Sequence, residues 1–355
     1  MRELEKILLE DPYSMDKQNK DIFFKNYINK LTVHHYNNSK EYKKLINHLS
    51  YAIKKKNEIN KIPFLPVRLF KELNLYSVKK DKIIKVLNSS GTSGNNTSKI
   101  YLDKINALNQ VKVLQKIMNR MLGKERLPML IIDRNIKNIN RTNFNARVAA
   151  INGFSIFGRN HTFLLDENNN INYDELNKFL SRYGNSKFFI FGFTSFIFEN
   201  LIEKLKMNKI KLDFKNAILL HGGGWKKLEN KKISNKTFKK EISKKLNLKN
   251  VFNYYGLVEQ TGSIFVECKC GYFIASNFSD VLIRDSNFNL LKNNQKGFLQ
   301  LFSLLPTSYP GHNILTEDIG EIIQNAKCSC SMQGKRFLVH GRIEKAEIRG
   351  CSDAE

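Results

Sequence analysis

Short apolar runs and helical stripes alternate along the middle of the chain. The runs are "IIKVL" (83–87), "KIYLD" (99–103), "PMLII" (128–132), "KFFIF" (187–191), "NAILL" (216–220) and "VFNYY" (251–255). After the second run, Ile105, Leu108, Val111, Leu114, Met118 and Met121 recur at helical spacing. Asp103 stands where it can cap that helix. Further helical stretches fall at 173–182, 195–207 and 236–246. Strands that alternate with helices predict an α/β fold with a parallel sheet and flanking helices.

The two ends read differently. The stretch "DIFFKNYINKLTVHHYNNSKEYKKLINHLSYAI" (21–53) predicts helices, and the Pro-bounded "IPFLPVRLF" (62–70) predicts an extended strap. Beyond about residue 263 the helical period vanishes. There "SIFVEC", "DVLIRD" and "GFLQLFSLL" alternate with turns, which predicts a smaller β-rich subdomain. The longest apolar run, "FFIFGFTSFIF" (188–198), is too short to cross a bilayer. The N-terminus "MRELEKILLE" is charged and amphipathic, unlike a signal peptide. A cytoplasmic protein without a membrane span is expected.

A polar or glycine-rich signal follows each of the later strands. Asp133 follows "PMLII", Gly192 and Thr194 follow "KFFIF", "HGGGW" follows "NAILL", and "GLVEQTG" follows "VFNYY". Open α/β sheets bind ligands outside the carboxyl ends of their strands, so these signals are expected at one crevice. "AAINGFSIFG" (149–158) and "FGFTSFIFE" (191–199) bring apolar residues near strand ends; they suit a lipophilic tunnel or plain core.

The segment "NSSGTSGNNTSKIYLD" (88–103) carries the densest chemistry. It is not a Walker A loop. Counting from Gly91, the second glycine would fall at Asn96, and the segment joins two strands rather than a strand and a helix. It still suits phosphate. Gly91 and Gly94 free the backbone to aim N–H groups at an anion, Ser89, Ser90, Thr92, Ser93, Thr97 and Ser98 offer hydroxyls, and Lys99 offers charge. A plain hairpin loop stays open as the alternative.

The formal charge of +26 invites a nucleic-acid reading. The basic residues are scattered rather than gathered on one element, so no specific nucleic-acid face is expected. The positive field favours the approach of an anionic substrate instead. Four of the five cysteines form two C-x-C pairs, Cys268/Cys270 and Cys328/Cys330, in the turn-rich region. Two such pairs suit a tetrahedral structural Zn²⁺ site; unligated thiols are the alternative.

Taken together, "IPFLPVRLFKE" (62–72), "SSGTSG…SKIYLD" (89–103), "RLPMLIID" (126–133), "FGFTSFIFE" (191–199), "LLHGGGWKKLE" (219–229), "NYYGLVEQTGSIF" (253–265), "SYPGHNILTEDIGEI" (308–322) and "HGRIEKAEIRGC" (340–351) resemble, in order, the LuxE-like acyl-protein synthetases within the adenylate-forming ligase superfamily. The resemblance implies the N-terminal-domain fold of adenylate-forming enzymes, without the C-terminal lysine domain. It divides the chain into a helical segment and strap (1–80), a nucleotide- and acyl-binding core (81–262), a β-rich subdomain (263–340), and a hinge motif with tail (341–355).

It also implies roles. Ser90, Gly91, Thr92, Ser93, Gly94 and Lys99 would meet the phosphates of ATP. Gly222, Gly223 and Gly224 would line the adenine and acyl-phosphate region, with Tyr255 and Gly256 walling the adenine. Glu259 would help hold Mg²⁺, Asp318 would accept the ribose hydroxyls, and Arg342 would sit at the hinge. Cys351 matches the family's acyl-accepting cysteine near the C-terminus, with Lys345 and Arg349 as neighbours that lower its pKa. With the superfamily's catalytic lysine lacking a counterpart, Lys99 or Lys226 is left as the transition-state cation. The implied activity converts a carboxylic acid, expected to be a long-chain fatty acid, to an acyl-adenylate and then to a protein thioester. An acyl-CoA reductase or acyl-carrier partner follows by family analogy. An acyl- or aryl-CoA ligase and a non-catalytic acyl- or nucleotide-binding subunit are the alternatives.

Overall fold

The structure, a computed structural model, describes residues 2–53, 55–89, 97–135, 146–225 and 233–342. In chain order its strands are β1 (Leu65–Pro66), β2 (Lys85–Asn88), β3 (Lys99–Leu102), β4 (Leu127–Arg134), β5 (Gly158–Leu165), β6 (Phe188–Phe193), β7 (Ala217–Gly222), β8 (Asn250–Tyr255), β9 (Phe265–Glu267), β10 (Phe273–Ile274), β11 (Ser279–Arg284), β12 (Gly297–Ser303), β13 (Asn313–Ile322) and β14 (Arg336–Arg342). The described chain divides into two compact units. Residues 118–255 form one; residues 2–89, 97–117 and 256–342 form the other.

The first unit is the expected α/β element. Its strands run in the order β8-β7-β6-β4-β5, and every adjacent pair is parallel. Strands β6 and β7 are buried at every position, as strands covered on both faces must be. That is why "KFFIFGF" and "NAILLHG" read as unbroken apolar runs. The helices Tyr173–Tyr183 and Asn235–Leu246 start where Asn172 and Ser234 accept from the backbone N–H groups of Glu175 and Thr237. Their buried residues Leu176, Phe179, Phe238 and Ile242 join Phe188, Ile190 and Leu219 in one core.

The second unit is antiparallel and β-rich. Its strands run β11-β12-β13-β14-β10-β9, and the predicted strap adds β1 parallel to β13 with Leu65 opposite Ile314. Strands β2 and β3 form a separate antiparallel pair ending at Asn88 opposite Lys99. The predicted N-terminal helices are present at Lys17–Asn38 and Lys40–His48, capped by Asp16 and Ser39. No helix among the described residues is long and apolar enough to cross a membrane.

One face was read differently from the apolar pattern. Asp103 does cap the helix Lys104–Leu122, its Oδ1 accepting from Asn106 N at 2.7 Å. Yet Ile105, Leu108 and Val111 are 46%, 49% and 50% exposed, while Asn106, Gln110, Val113 and Ile117 are buried. Hydrogen bonding decides the rotation. Asn106 Oδ1 accepts from Thr307 N at 2.9 Å and from Ser308 Oγ at 3.0 Å, so the amide must face inward.

Candidate active site

In the β-rich unit, the chain leaves β8 through Gly256 and forms a short 3₁₀ turn at Val258–Gln260. Three contacts fix that turn. Tyr309 Oη donates to Glu259 O at 2.9 Å, and Gln260 Nε2 donates to Leu301 O at 3.1 Å and Gly311 O at 2.8 Å. Gly262 follows with φ +90°, its Cα packed so that a Cβ would lie 2.6 Å from Gln110 Cα. Only glycine suits both demands.

This scaffold holds the Glu259 side chain in the interior, 5% exposed. Burial pushes its carboxyl above the ordinary glutamate range; the Ser98 hydroxyl and Arg342 favour the charged form, and Asp318 opposes it. Asp318 lies in β13 opposite Arg342 in β14, and Arg342 Nε donates to Asp318 Oδ1 at 3.2 Å. Glu259, Ser98, Asp318 and Arg342 thus share one electrostatic neighbourhood. A buried carboxylate with few compensating donors suits a hard divalent cation, which carboxylate oxygens bind. Glu259 therefore fits the expected Mg²⁺ ligand. Lys99 stands exposed at the first position of β3.

In the α/β unit, "HGGGW" begins at the carboxyl end of β7. Gly222 lies opposite Tyr254 of β8, and a Cβ there would come within 2.2 Å of the Tyr254 ring. The ring has little freedom to retreat, because its centroid lies 4.9 Å from that of Phe154 and 6.3 Å from that of Phe191. Gly223 takes φ +77°, and a Cβ at Gly224 would meet nothing within 4 Å. Tyr255 is half-buried.

Two contacts here were not anticipated. Thr194 Oγ1 donates to Gly222 O at 3.0 Å and lies 2.9 Å from His221 Nδ1. Burial holds the His221 ring neutral, lowering its pKa to about 3. Asp133, at the end of β4, is buried and held by Arg147, whose Nε donates to Oδ2 at 2.6 Å and whose guanidinium lies over Phe196. Basic residues are common in this chain, so nothing in the sequence marked Arg147 out. The aromatic runs "AAINGFSIFG" and "FGFTSFIFE" place Phe154, Phe157, Phe191 and Phe193 in the interior, each under 8% exposed and packed ring on ring.

Ser90, Gly91, Thr92, Ser93, Gly94, Lys226 and Cys351 lie outside the described residues. Of the four paired cysteines, Cys268, Cys328 and Cys330 bring their sulfurs within 4.8 Å of one another.

Comparison with known proteins follows this geometry. A family model described as acyl-protein synthetase, LuxE, matches residues 2–355. The fold is similar to crystal structures of 2-hydroxyisobutyryl-CoA ligase. The open conformation with 2-HIB-AMP and CoA superposes with TM-score 0.72 at 12% identity, covering 94% of this chain and 77% of that one. The thioesterification-state structure gives TM-score 0.72 at 13% identity, covering 94% and 70%. These likenesses show a shared fold. A search of curated proteins gives no match.

Proposed function

The chain belongs to the acyl-protein synthetase family, LuxE, and from that premise we propose that it activates a carboxylic acid with ATP and passes the acyl group to a protein thiol. The observation that carries the reading is the buried Glu259 carboxylate beside the Asp318–Arg342 pair. A carboxylate for Mg²⁺ and a carboxylate for vicinal hydroxyls are the two acidic groups that adenylation requires.

The chemistry runs in two steps. A carboxylate oxygen of the acid attacks the α-phosphorus of ATP, the P–O bond to the β-phosphate breaks, and pyrophosphate leaves. A thiolate then attacks the acyl carbonyl, and AMP leaves with the electron pair of the C–O bond. The acid supplies the first nucleophile, so the protein's task is alignment and charge stabilisation. Mg²⁺ bound at Glu259 would supply charge neutralisation of the phosphates. Asp318 orients the ribose by accepting its hydroxyls, and Arg342 holds the Asp318 side chain in place. Gly222 and Gly223 keep side chains away from the carboxyl end of β7, and Thr194 fixes the Gly222 carbonyl. The loop residues Ser90 to Gly94 and Lys99 bind the β- and γ-phosphates. Cys351 accepts the acyl group, and a long-chain fatty acid is its donor. An acyl-CoA reductase or acyl carrier is the downstream partner in this reading.

The test is exchange of labelled pyrophosphate into ATP across a panel of carboxylic acids, followed by mass spectrometry of the protein. Acid-dependent exchange and a thioester on Cys351 are expected, with Cys351→Ser retaining exchange and losing the thioester. Coenzyme A as the stable acceptor, with indifference to Cys351→Ser, would make the protein a CoA ligase. Absence of exchange with every acid would leave only a binding role.

A further inference from the structure

The cysteine cluster lies in the β-rich unit, packed with Tyr13, Tyr272, Ile274 and Met332. Residues 323–335 connect β13 to β14 without regular structure, and most of them are exposed or half-buried. Connections of this length need something to hold them. Cys328 and Cys330 sit in the middle of this one. Facing them is the turn after β9, where Cys268 N donates to Tyr272 O at 2.8 Å and Gly271 N donates to Cys268 O at 2.9 Å. Gly271 has φ +89°, and the turn presents Cys268 and Cys270 on one knuckle.

The sulfur geometry is informative. Cys268 Sγ lies 3.5 Å from Cys328 Sγ, and Cys328 Sγ lies 2.9 Å from Cys330 Sγ. Both separations exceed the ~2.05 Å of a disulfide. The Cys268–Cys328 separation approaches the ~3.8 Å edge of a tetrahedron with metal–sulfur bonds of about 2.3 Å. Cys270 Sγ lies 3.9 Å from Ser329 Oγ, on the residue between the other pair. Arg336 Nη2 stands 3.6 Å from Cys330 Sγ and also donates to Met332 O at 2.9 Å. A guanidinium beside this cluster is what an anionic thiolate site requires of its surroundings.

We propose that Cys268, Cys270, Cys328 and Cys330 bind one zinc ion as a tetrathiolate structural site, with Arg336 as the charge-compensating neighbour. Cys270 completes the tetrahedron by turning its side chain toward the other three sulfurs. Binding one Zn²⁺ displaces four thiol protons and leaves a site of charge −2, which Arg336 offsets in part. The ion fastens the connection to the knuckle and so fixes the start of β14, the strand that ends at Arg342. The site is independent of the adenylation reading, and its test does not use activity.

The full chain is purified without added chelator, and its metal content is measured by mass spectrometry. About one zinc per chain is expected. Replacement by Co²⁺ should give the thiolate charge-transfer and tetrahedral d–d absorption of a four-sulfur site. Titration with a thiol-specific mercurial should release the zinc to a chromogenic chelator in step with the modified thiols. Cys268→Ser is buried and risks misfolding, so the half-exposed Cys270→Ser and Arg336→Ala carry the test. Each should keep the secondary structure of the parent while zinc affinity falls about 10- to 100-fold. A zinc-free protein that gives no cobalt spectrum would overturn the proposal. So would iron in place of zinc, a Cys328–Cys330 disulfide in anaerobically handled protein, or undiminished zinc affinity in Cys270→Ser.

Discussion

Arg342 stands directly across the β13–β14 ladder from Asp318 and donates to its carboxylate at 3.2 Å. The contact fixes the direction of the Asp318 side chain. In the proposed reading Asp318 accepts the ribose hydroxyls, and Asp318→Asn would remove that acceptor. Its loss is expected to cost about 1.5–3 kcal/mol, a rise of about 10- to 150-fold in KM for ATP. Arg342→Lys should recover only part of the loss seen in Arg342→Ala, because an ammonium lacks the planar fork. Steady-state pyrophosphate exchange against ATP concentration measures both; equal KM values for Asp318→Asn and the parent would remove Asp318 from the nucleotide site.

Glu259 makes the opposite demands on stability and on activity. Burial raises its carboxyl pKa, because the charged form is better solvated outside the fold. Glu259→Gln should melt at a higher temperature than the parent, yet lose exchange activity by about 100-fold or more. Activity of the parent should fall on acidification from above the ordinary glutamate range, as the carboxyl takes up a proton. Saturating Mg²⁺ should move that limb to lower pH, because the ion favours the charged form. A pH profile at low and high Mg²⁺ reads the shift.

Gly222 is fixed by a neighbour rather than by its own backbone. The Cβ of Gly222→Ala would lie 2.2 Å from Tyr254 Cε1, in a ring packed against Phe154 and Phe191. Overpacking of this kind costs about 1–3 kcal/mol. Gly222→Ala combined with Tyr254→Leu should recover part of that cost. Urea unfolding of the four members of the cycle measures the coupling; strict additivity would mean that the ring yields freely.

Acid should weaken the fold through three histidines. His35, His221 and His312 are buried and neutral, and burial lowers all three, His221 and His312 to about 3. Their unfolded forms titrate near 6.5, so between pH 6.5 and about 3 the unfolded chain takes up protons that the folded chain refuses. Stability is fully present above that range and falls within it. Each fully engaged histidine contributes about 1.4 kcal/mol per pH unit. Glu259 acts in the other direction, one group against three. Chemical denaturation at several pH values should give a slope that flattens in His312→Asn, whose parent ring is held by Thr32 Oγ1 at 3.1 Å.

The parts of this fold that are legible in sequence are those with uniform burial. "KFFIFGF" and "NAILLHG" are covered on both faces and announce themselves. Strand β5 does not: it is the edge strand of its sheet, and the polar "RNHT" faces solvent for half its length. Strands β13 and β14 were hidden for another reason. Their charges are paired across the ladder, Asp318 with Arg342 and Glu321 with His340 at 3.0 Å, so a strand reads like a turn. Glu259 and Asp318 were singled out by their motifs, and the structure buries both. The groups that hold the Glu259 turn, Tyr309 and Gln260, act through long-range backbone contacts that no local pattern encodes.

The first residues of the chain are tied to some of the last. Gln333 N donates to Tyr13 O at 2.8 Å, and Asn277 N donates to Pro12 O at 2.7 Å. At ribosomal speed, roughly 15–60 s separate the emergence of these partners. During that interval residues 118–255, contiguous in sequence, can already have folded, while the opening helices wait without their mates. Nascent chains arrested before residue 270 should therefore protect the middle of the sequence from protease and leave its beginning open to a chaperone.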